Sequence, residues 1–426
     1  MYGLNELSSS DLEAYRAALR RDFERVRART EALVAPLSAE DCQIQSMPDA
    51  SPTKWHLAHT TWFWETFLLK PMRAGYETPD PVYDFMFNSY YEAVGPRHAR
   101  SRRGMVTRPS LEGVLSYRAF VTDAMGRFLD ETEEAAFAKA ARLIETGLAH
   151  EEQHQELILT DIKHALYQNP AKPAAYPRPP TAGGAPASGW TTFEGGLNEF
   201  GAPATGFSFD NEHPRHKVWL EGFALANHPV TNGDVRAFID DGGYRTPALW
   251  LSAGWAQVQA EGWDAPLYWE KRDGAWFEHT LHGEQPLDNT APAAHLSYFE
   301  ADAIAEWMGP RLPTEAELEL AAAAAPEGRS HVAGACAHPA AASDAPLGGF
   351  YGEVWQWTTS SYGPYPGYRR PKGAIGEYNG KFMSGQYVLK GSSCATPPGH
   401  ARATYRNFFY PGDRWQFTGL RLAKDV

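Results

Sequence analysis

The 426-residue chain carries a formal net charge of −13, with 43% apolar residues and 14 tryptophans, and is long enough for two or three separately cored domains. An acidic balance of this size argues against a sequence-independent nucleic-acid binder, which needs a basic footprint, and no apolar run reaches the length of a membrane span. Cys42, Cys336 and Cys394 are too scattered for a disulfide framework or a thiolate zinc site, and the first residues lack the basic and apolar regions of a secretory signal, so reduced thiols and a cytoplasmic setting are expected.

From Ser10 to about Val34 the apolar residues Leu12, Tyr15, Leu19, Phe23 and Val26 recur at helical spacing, with Ser10 as a cap before Asp11. A second helix is expected from Pro52 to Leu69, opened by Ser51 as its cap with Pro52 at the first helical position. It carries His56 and His59 among Trp55, Trp62, Phe63, Trp64 and Phe67, which read as core. Between Lys70 and Pro109 prolines and glycines interrupt any helix, and loops this long inside a helical domain are uncommon unless they serve function. That stretch holds Tyr90 and Tyr91, which can supply a proton or simply pack. It also holds Arg97, His98, Arg100, Arg102 and Arg103, which read either as a solvated basic face or as a carboxylate clamp.

A third helix runs from Ser110, its cap, to about Asp130, and a fourth from about Glu133 to Tyr167. Within the fourth, His150 and His154 lie four residues apart and so share a face, with Gln153 beside them. Two imidazoles at that spacing can hold one divalent metal, or they can be ordinary buried or surface histidines. A metal site of two histidines is incomplete, and the other donor is expected from the His56-Leu-Ala-His59 run. Four helices then make an up-and-down bundle with a metal among facing helices.

Asn169 to Gly189 is rich in proline, alanine and glycine and reads as an extended interdomain linker, giving expected domains at 1–168 and 190–426. Beyond Trp190 turns replace helical periodicity. Short helices are expected at Thr231–Asp240, at Tyr298–Met308 and from Thr314, where Thr314-Glu-Ala-Glu317 has the capping-box pattern, and the remainder reads as short strands and long loops. This half is α+β, and it holds no glycine-rich phosphate or dinucleotide motif.

Several runs resemble a known family. Arg311-Leu-Pro-Thr-Glu-Ala-Glu-Leu318, Gly352-Glu-Val-Trp-Gln-Trp-Thr358, Val388-Leu-Lys-Gly-Ser-Ser-Cys394 and Thr418-Gly-Leu-Arg-Leu422 resemble the formylglycine-generating-enzyme domain, which is C-type-lectin-like. The first half resembles a DinB-like four-helix bundle. Their fusion, with Ser51-Pro-Thr-Lys-Trp-His-Leu-Ala-His59 and His150-Glu-Glu-Gln-His154, resembles the ergothioneine-type sulfoxide synthases, including their selenoneine synthase branch.

The resemblance implies a mononuclear Fe(II) enzyme that uses dioxygen to join sulfur or selenium to the imidazole ring of hercynine, the trimethylammonium betaine of histidine. Its small-molecule substrates would be hercynine, dioxygen and a thiol or selenosugar; neither nucleic acid nor membrane is an expected partner. By position, His59, His150 and His154 match the iron ligands, His56 stands behind them, and Gln153 matches a residue that hydrogen-bonds the substrate imidazole. Tyr90 or Tyr91 resembles the active-site tyrosine, Arg97 and Arg100 match clamps for the donor carboxylate, and Trp415, Gln416 and Phe417 fall where the second domain meets the betaine.

Three neutral imidazoles leave open positions on iron, a tyrosine can deliver a proton, and aromatic faces suit a trimethylammonium cation. Departures from the family concern the donor: Ser384 stands where many relatives have cysteine, and Gly391-Ser392-Ser393 replaces a double glycine. Cys394 is expected to pack rather than react, and formylglycine formation is not implied. Competing expectations are an ovothiol-type enzyme acting on histidine, an oxygen-independent DinB-like thiol transferase, and a binding module with structural zinc.

Overall fold

Leu12, Leu19, Phe23, Val26 and Leu33 lie along one stripe of the first helix and all are buried, so an apolar face with helical period holds α1 (Ser9–Val34) against its neighbours. The structure is a computed structural model that describes residues 9–177, 186, 188–326, 337–340 and 345–426. A first compact unit comprises Met1–Gln168 together with Pro203–Phe209 and Arg370–Tyr378, and a second comprises Asn169–Ala202, Asp210–Arg369 and Asn379–Val426. Two short segments from beyond residue 200 therefore belong to the helical unit. Ala175 and Tyr176, at the start of the expected linker, donate their amides to the Leu281 carbonyl within the second unit. Much of the rest of that linker, and Cys336, lie outside the described residues.

After α1 come α2 (Ala39–Gln43), α3 (Thr53–Trp64), a π-helical turn at Glu65–Leu69, α4 (Lys70–Met72), α5 (Tyr83–Phe87), α6 (Leu111–Glu131) and α7 (Glu134–Gln168). The helices α1, α7, α3 and α6 each pack on the next, and α6 returns to α1, which closes a four-helix ring. All twelve residues of α3 are buried, as expected of a helix with no solvent face. Gly147 on α7 makes room for it, because a methyl group there would stand 2.6 Å from the Trp64 ring. Ser110 caps α6 by accepting the Gly113 amide at 3.1 Å, as the sequence suggested.

The expected start of α3 needs correction. Pro52 occupies the cap position with no side-chain bond, and Ser51 is turned to other partners. Its amide donates to Asp161 Oδ2 at 2.8 Å and its hydroxyl accepts from Arg103 Nη1 at 2.9 Å. An acceptor supplied across the bundle by α7 replaces the local cap.

The second unit is mixed, as expected. Strands β1 (Trp190–Phe193), β4 (Phe223–Ala226) and β12 (Ala423–Asp425) form one antiparallel sheet, while β2 (Gly196–Phe200) and β3 (His216–Leu220) form a ribbon. The strands β5 (Trp269–Arg272), β6 (Ala275–Thr280) and β7 (Gly283–Pro286) make a meander. A four-stranded sheet has the order β10 (Asn407–Phe409), β9 (Tyr387–Gly391), β8 (Trp355–Ser361) and β11 (Thr418–Gly419), the last pair being parallel. Helices α8 (Asn232–Asp240), α10 (Tyr298–Met308) and α11 (Glu315–Ala322) begin at capping boxes on Thr231, Ser297 and Thr314; α9 (Ser252–Glu261) ends on Gly262 in the left-handed conformation. Phe223, Leu225, Leu318, Leu347 and Phe350 share a core cluster.

Candidate metal centre

The facing helices α3 and α7 bring His59, His150 and His154 together, each fully or almost fully buried, with one ring nitrogen from each lying within 4.8 Å of the others. His59 sits between two indoles of its own helix, stacked on Trp55 with ring centres 4.6 Å apart and on Trp62 at 5.5 Å. Its Nδ1–H donates to the Phe87 carbonyl at 2.6 Å, which leaves Nε2 with its lone pair on the side of His150. The two Nε2 atoms are 3.2 Å apart. Two nitrogen ligands at right angles on one ion, each about 2.1 Å from it, stand about 3 Å apart, so this pair fits a shared metal.

Burial drives the three imidazoles toward their neutral forms. His59 and His154 titrate well below the usual histidine range, first because they are desolvated and then because of neighbouring imidazoles. Desolvation likewise pushes His150 down to about 3, against an opposing pull from Glu151. Neutral imidazole is the form that ligates a metal. His56 lies behind the cluster, with Nδ1 2.8 Å from His154 Nδ1 and Nε2 3.0 Å from Asp161 Oδ2.

These directions predict how the metal-free protein responds to acid. A histidine whose folded-state pKa is lowered contributes stability above its ordinary value near 6.5 and loses it as pH falls toward the folded-state value, here about 3 for His150. Each such group costs about 1.4 kcal/mol per pH unit across that window. The melting temperature of metal-free protein should therefore fall steeply between pH 6.5 and 5. A flat profile there would contradict neutral, buried histidines.

The residue after His150 pins the helices that hold the cluster. Glu151, fully buried, accepts from Arg27 Nη1 at 3.0 Å and Thr30 Oγ1 at 2.8 Å on α1, from Trp64 Nε1 at 3.1 Å on α3, and from Arg118 Nη2 on α6. Burial alone would raise its pKa, but the Arg118 and Arg27 charges and their hydrogen bonds hold it well below the usual carboxylate range.

Beside the cluster, sequence reasoning missed Tyr378. Its ring is 5.7 Å from that of His150, it stacks on Phe209 at 5.3 Å, and its hydroxyl donates to Gln153 Oε1. Gln153 adjoins His154 on α7, and Tyr378 reaches it across 225 positions of sequence. Tyr91 is fully buried against Trp62 and Phe67, and desolvation raises its phenol well above the usual range. The Tyr90 ring lies 4.7 Å from Tyr91 and 6.5 Å from Tyr378.

In the basic stretch, Arg97 pairs with the exposed Glu92 at 2.9 Å and donates to the Ser89 carbonyl, while Arg100 donates to the Asp49 carbonyl. The arginine buried beside the histidines is Arg103, whose guanidinium lies 3.3 Å from the centre of the Trp55 ring. In the second unit Trp415, Gln416 and Phe417 are all buried: Trp415 meets Phe409, Gln416 Nε2 donates to the Asp413 carbonyl, and Phe417 packs on His295. Ser384 is exposed in a turn of that unit, and Cys394 is buried.

Among the described residues no helix is long and apolar enough to cross a membrane. Residues 22–158 match the DinB superfamily, and residues 178–349 and 341–426 match the sulfatase-modifying factor enzyme 1-like domain. The hercynine oxygenase of Mycolicibacterium thermoresistibile is 33% identical over 97% of this chain and 96% of its own length. That of Mycolicibacterium smegmatis is 33% identical over 96% and 99%. Ergothioneine biosynthesis protein 1 of Schizosaccharomyces pombe is 28% identical over 51% of this chain and 28% of its own length. A helical bundle carrying a three-histidine cluster, an attached sulfatase-modifying-factor-like domain and identity sustained along both place this chain in the hercynine oxygenase family.

Proposed function

We propose that this protein is an Fe(II)- and dioxygen-dependent enzyme that forms a carbon–sulfur or carbon–selenium bond on the imidazole ring of hercynine, with the metal held by His59, His150 and His154. The observation that carries the reading is the buried three-imidazole cluster in a chain alike over nearly its whole length to hercynine oxygenases. A ferrous ion there would supply one-electron chemistry with dioxygen, and three protein ligands leave its remaining positions to small molecules.

The chain's own groups bind and orient. With Gln153 Oε1 accepting from Tyr378, the amide NH2 is the end that donates to a substrate ring nitrogen. Tyr378, close to both His150 and Gln153, is the hydroxyl best placed to give or hold a proton, ahead of Tyr90 and the fully buried Tyr91. Tyr378→Phe should keep its metal while turnover falls by roughly 10²–10⁴, the usual worth of a positioned acid or base. An unchanged rate would move the role to Tyr90 or Tyr91.

Iron-loaded protein supplied with hercynine and oxygen should give a new chalcogen adduct by mass spectrometry with cysteine, γ-glutamylcysteine or a selenosugar. The serine at position 384 and the Gly391-Ser392-Ser393 run keep the selenosugar open as a donor beside the thiols. Histidine in place of hercynine tests the ovothiol-type reaction, and exclusion of oxygen tests the transferase. No product from hercynine with any of the three donors would end the proposal.

A further inference from the structure

We infer that His56 and Asp161 are positioning residues that fix the proton of His154 on Nδ1 and so present Nε2 to the metal. This rests on His154 being a ligand, as proposed above. Ser51 N–H donates to Asp161 Oδ2 from 2.8 Å, and an ionised carboxylate oxygen is an acceptor only. His56 Nε2 meets the same oxygen at 3.0 Å and must therefore be the donor. With its proton on Nε2, neutral His56 has an acceptor at Nδ1, and His154 Nδ1, 2.8 Å away, must be the donor in its turn. A neutral imidazole has one N–H, so the lone pair of His154 is on Nε2.

The direction of the chain from α7 through α3 and back to α7 is thus set by one amide at the start of α3. A carboxylate or carbonyl commonly orients a metal-bound histidine directly. In this protein the carbonyl of Phe87 does so for His59, whereas an imidazole stands between carboxylate and ligand for His154. In this inference His56 and Asp161 act through His154, by the hydrogen bonds His154–His56 and His56–Asp161.

The test is Co(II) titration of the full chain, followed by absorbance, for wild type, His56→Phe and His56→Asn. Phenylalanine keeps a ring among the neighbouring aromatic residues but offers His154 Nδ1–H no acceptor, and Co(II) affinity should fall 10–100-fold. Asparagine places a carbonyl oxygen near the former Nδ1 and should restore most of it, which a purely space-filling role for His56 does not predict. A nitrogen-15 correlation spectrum of the metal-free, histidine-labelled protein should show the His154 proton on Nδ1.

Wild-type affinity in His56→Phe, equal losses in both variants, or the proton on Nε2 would each overturn the inference even where the wild type binds Co(II). Failure of the wild type to bind would remove the metal site itself.

Discussion

His154→Ala should leave the bundle folded and strip it of metal and turnover together. The substitution removes one of the three proposed nitrogen donors, and a binding site reduced to His59 and His150 should lose more than the 10–100-fold that follows loss of a partner behind a ligand. The bundle itself is held by residues that alanine at 154 does not touch. Trp62, Phe63, Trp64, Leu148 and Ile158 remain buried, and the Glu151 network is intact. Metal content after desalting, the helical circular dichroism signal and aerobic turnover should separate the outcomes. A variant that retains one metal per chain and the wild-type rate would remove His154 from the ligand set.

Glu151→Gln should have the larger effect on stability. Gln keeps the side chain's length and one acceptor oxygen; what is lost is the charge that offsets two guanidinium groups, together with one of two oxygens that each accept two donors. Arg27 and Arg118 are both buried, and each also donates to the other's main-chain carbonyl at 3.2 and 3.0 Å, which holds them in place after the carboxylate has gone. Burial and the Arg118 charge already lower the pKa of Arg27 to about 10, so it stays charged at neutral pH. Breaking a buried ion pair from one side costs about 3–5 kcal/mol. For a unit of this size that corresponds to roughly 6–20 °C in melting temperature. Because Glu151 adjoins His150 and is bonded to α1, α3 and α6, metal affinity should fall as well. A shift below about 2 °C would show that the guanidinium groups find other partners.

Much of this architecture is legible in local sequence. The stripe on α1, the caps at Ser110, Thr231 and Thr314, and the four-residue spacing of His150 and His154 each follow from backbone geometry over a few residues. Asp161 was legible by the same rule: seven residues beyond His154 is two turns, hence the same face of α7. Other features depend on what packs from afar. Ser51 precedes a helix in the right place for a cap, yet Asp161 and Arg103 claim its amide and hydroxyl. The basic stretch read as a solvated face or a clamp, but its spacing does not show that the Trp55 ring and the Ser51 hydroxyl receive Arg103, while Arg97 meets Glu92 and the Ser89 carbonyl and Arg100 the Asp49 carbonyl. Nothing near Tyr378 in the sequence points to a partner 225 positions earlier.

That remoteness matters for how such a catalyst diversifies. The nitrogen donors are encoded in two early helices, whereas the hydroxyl beside them arrives on the segment Arg370–Tyr378. Under the proposed function, insertions or exchanges in that later segment would change what stands beside the histidines while both histidine-bearing helices stay as they are. On that reading, donor selectivity and metal retention would be inherited, and engineered, on separate stretches of the chain.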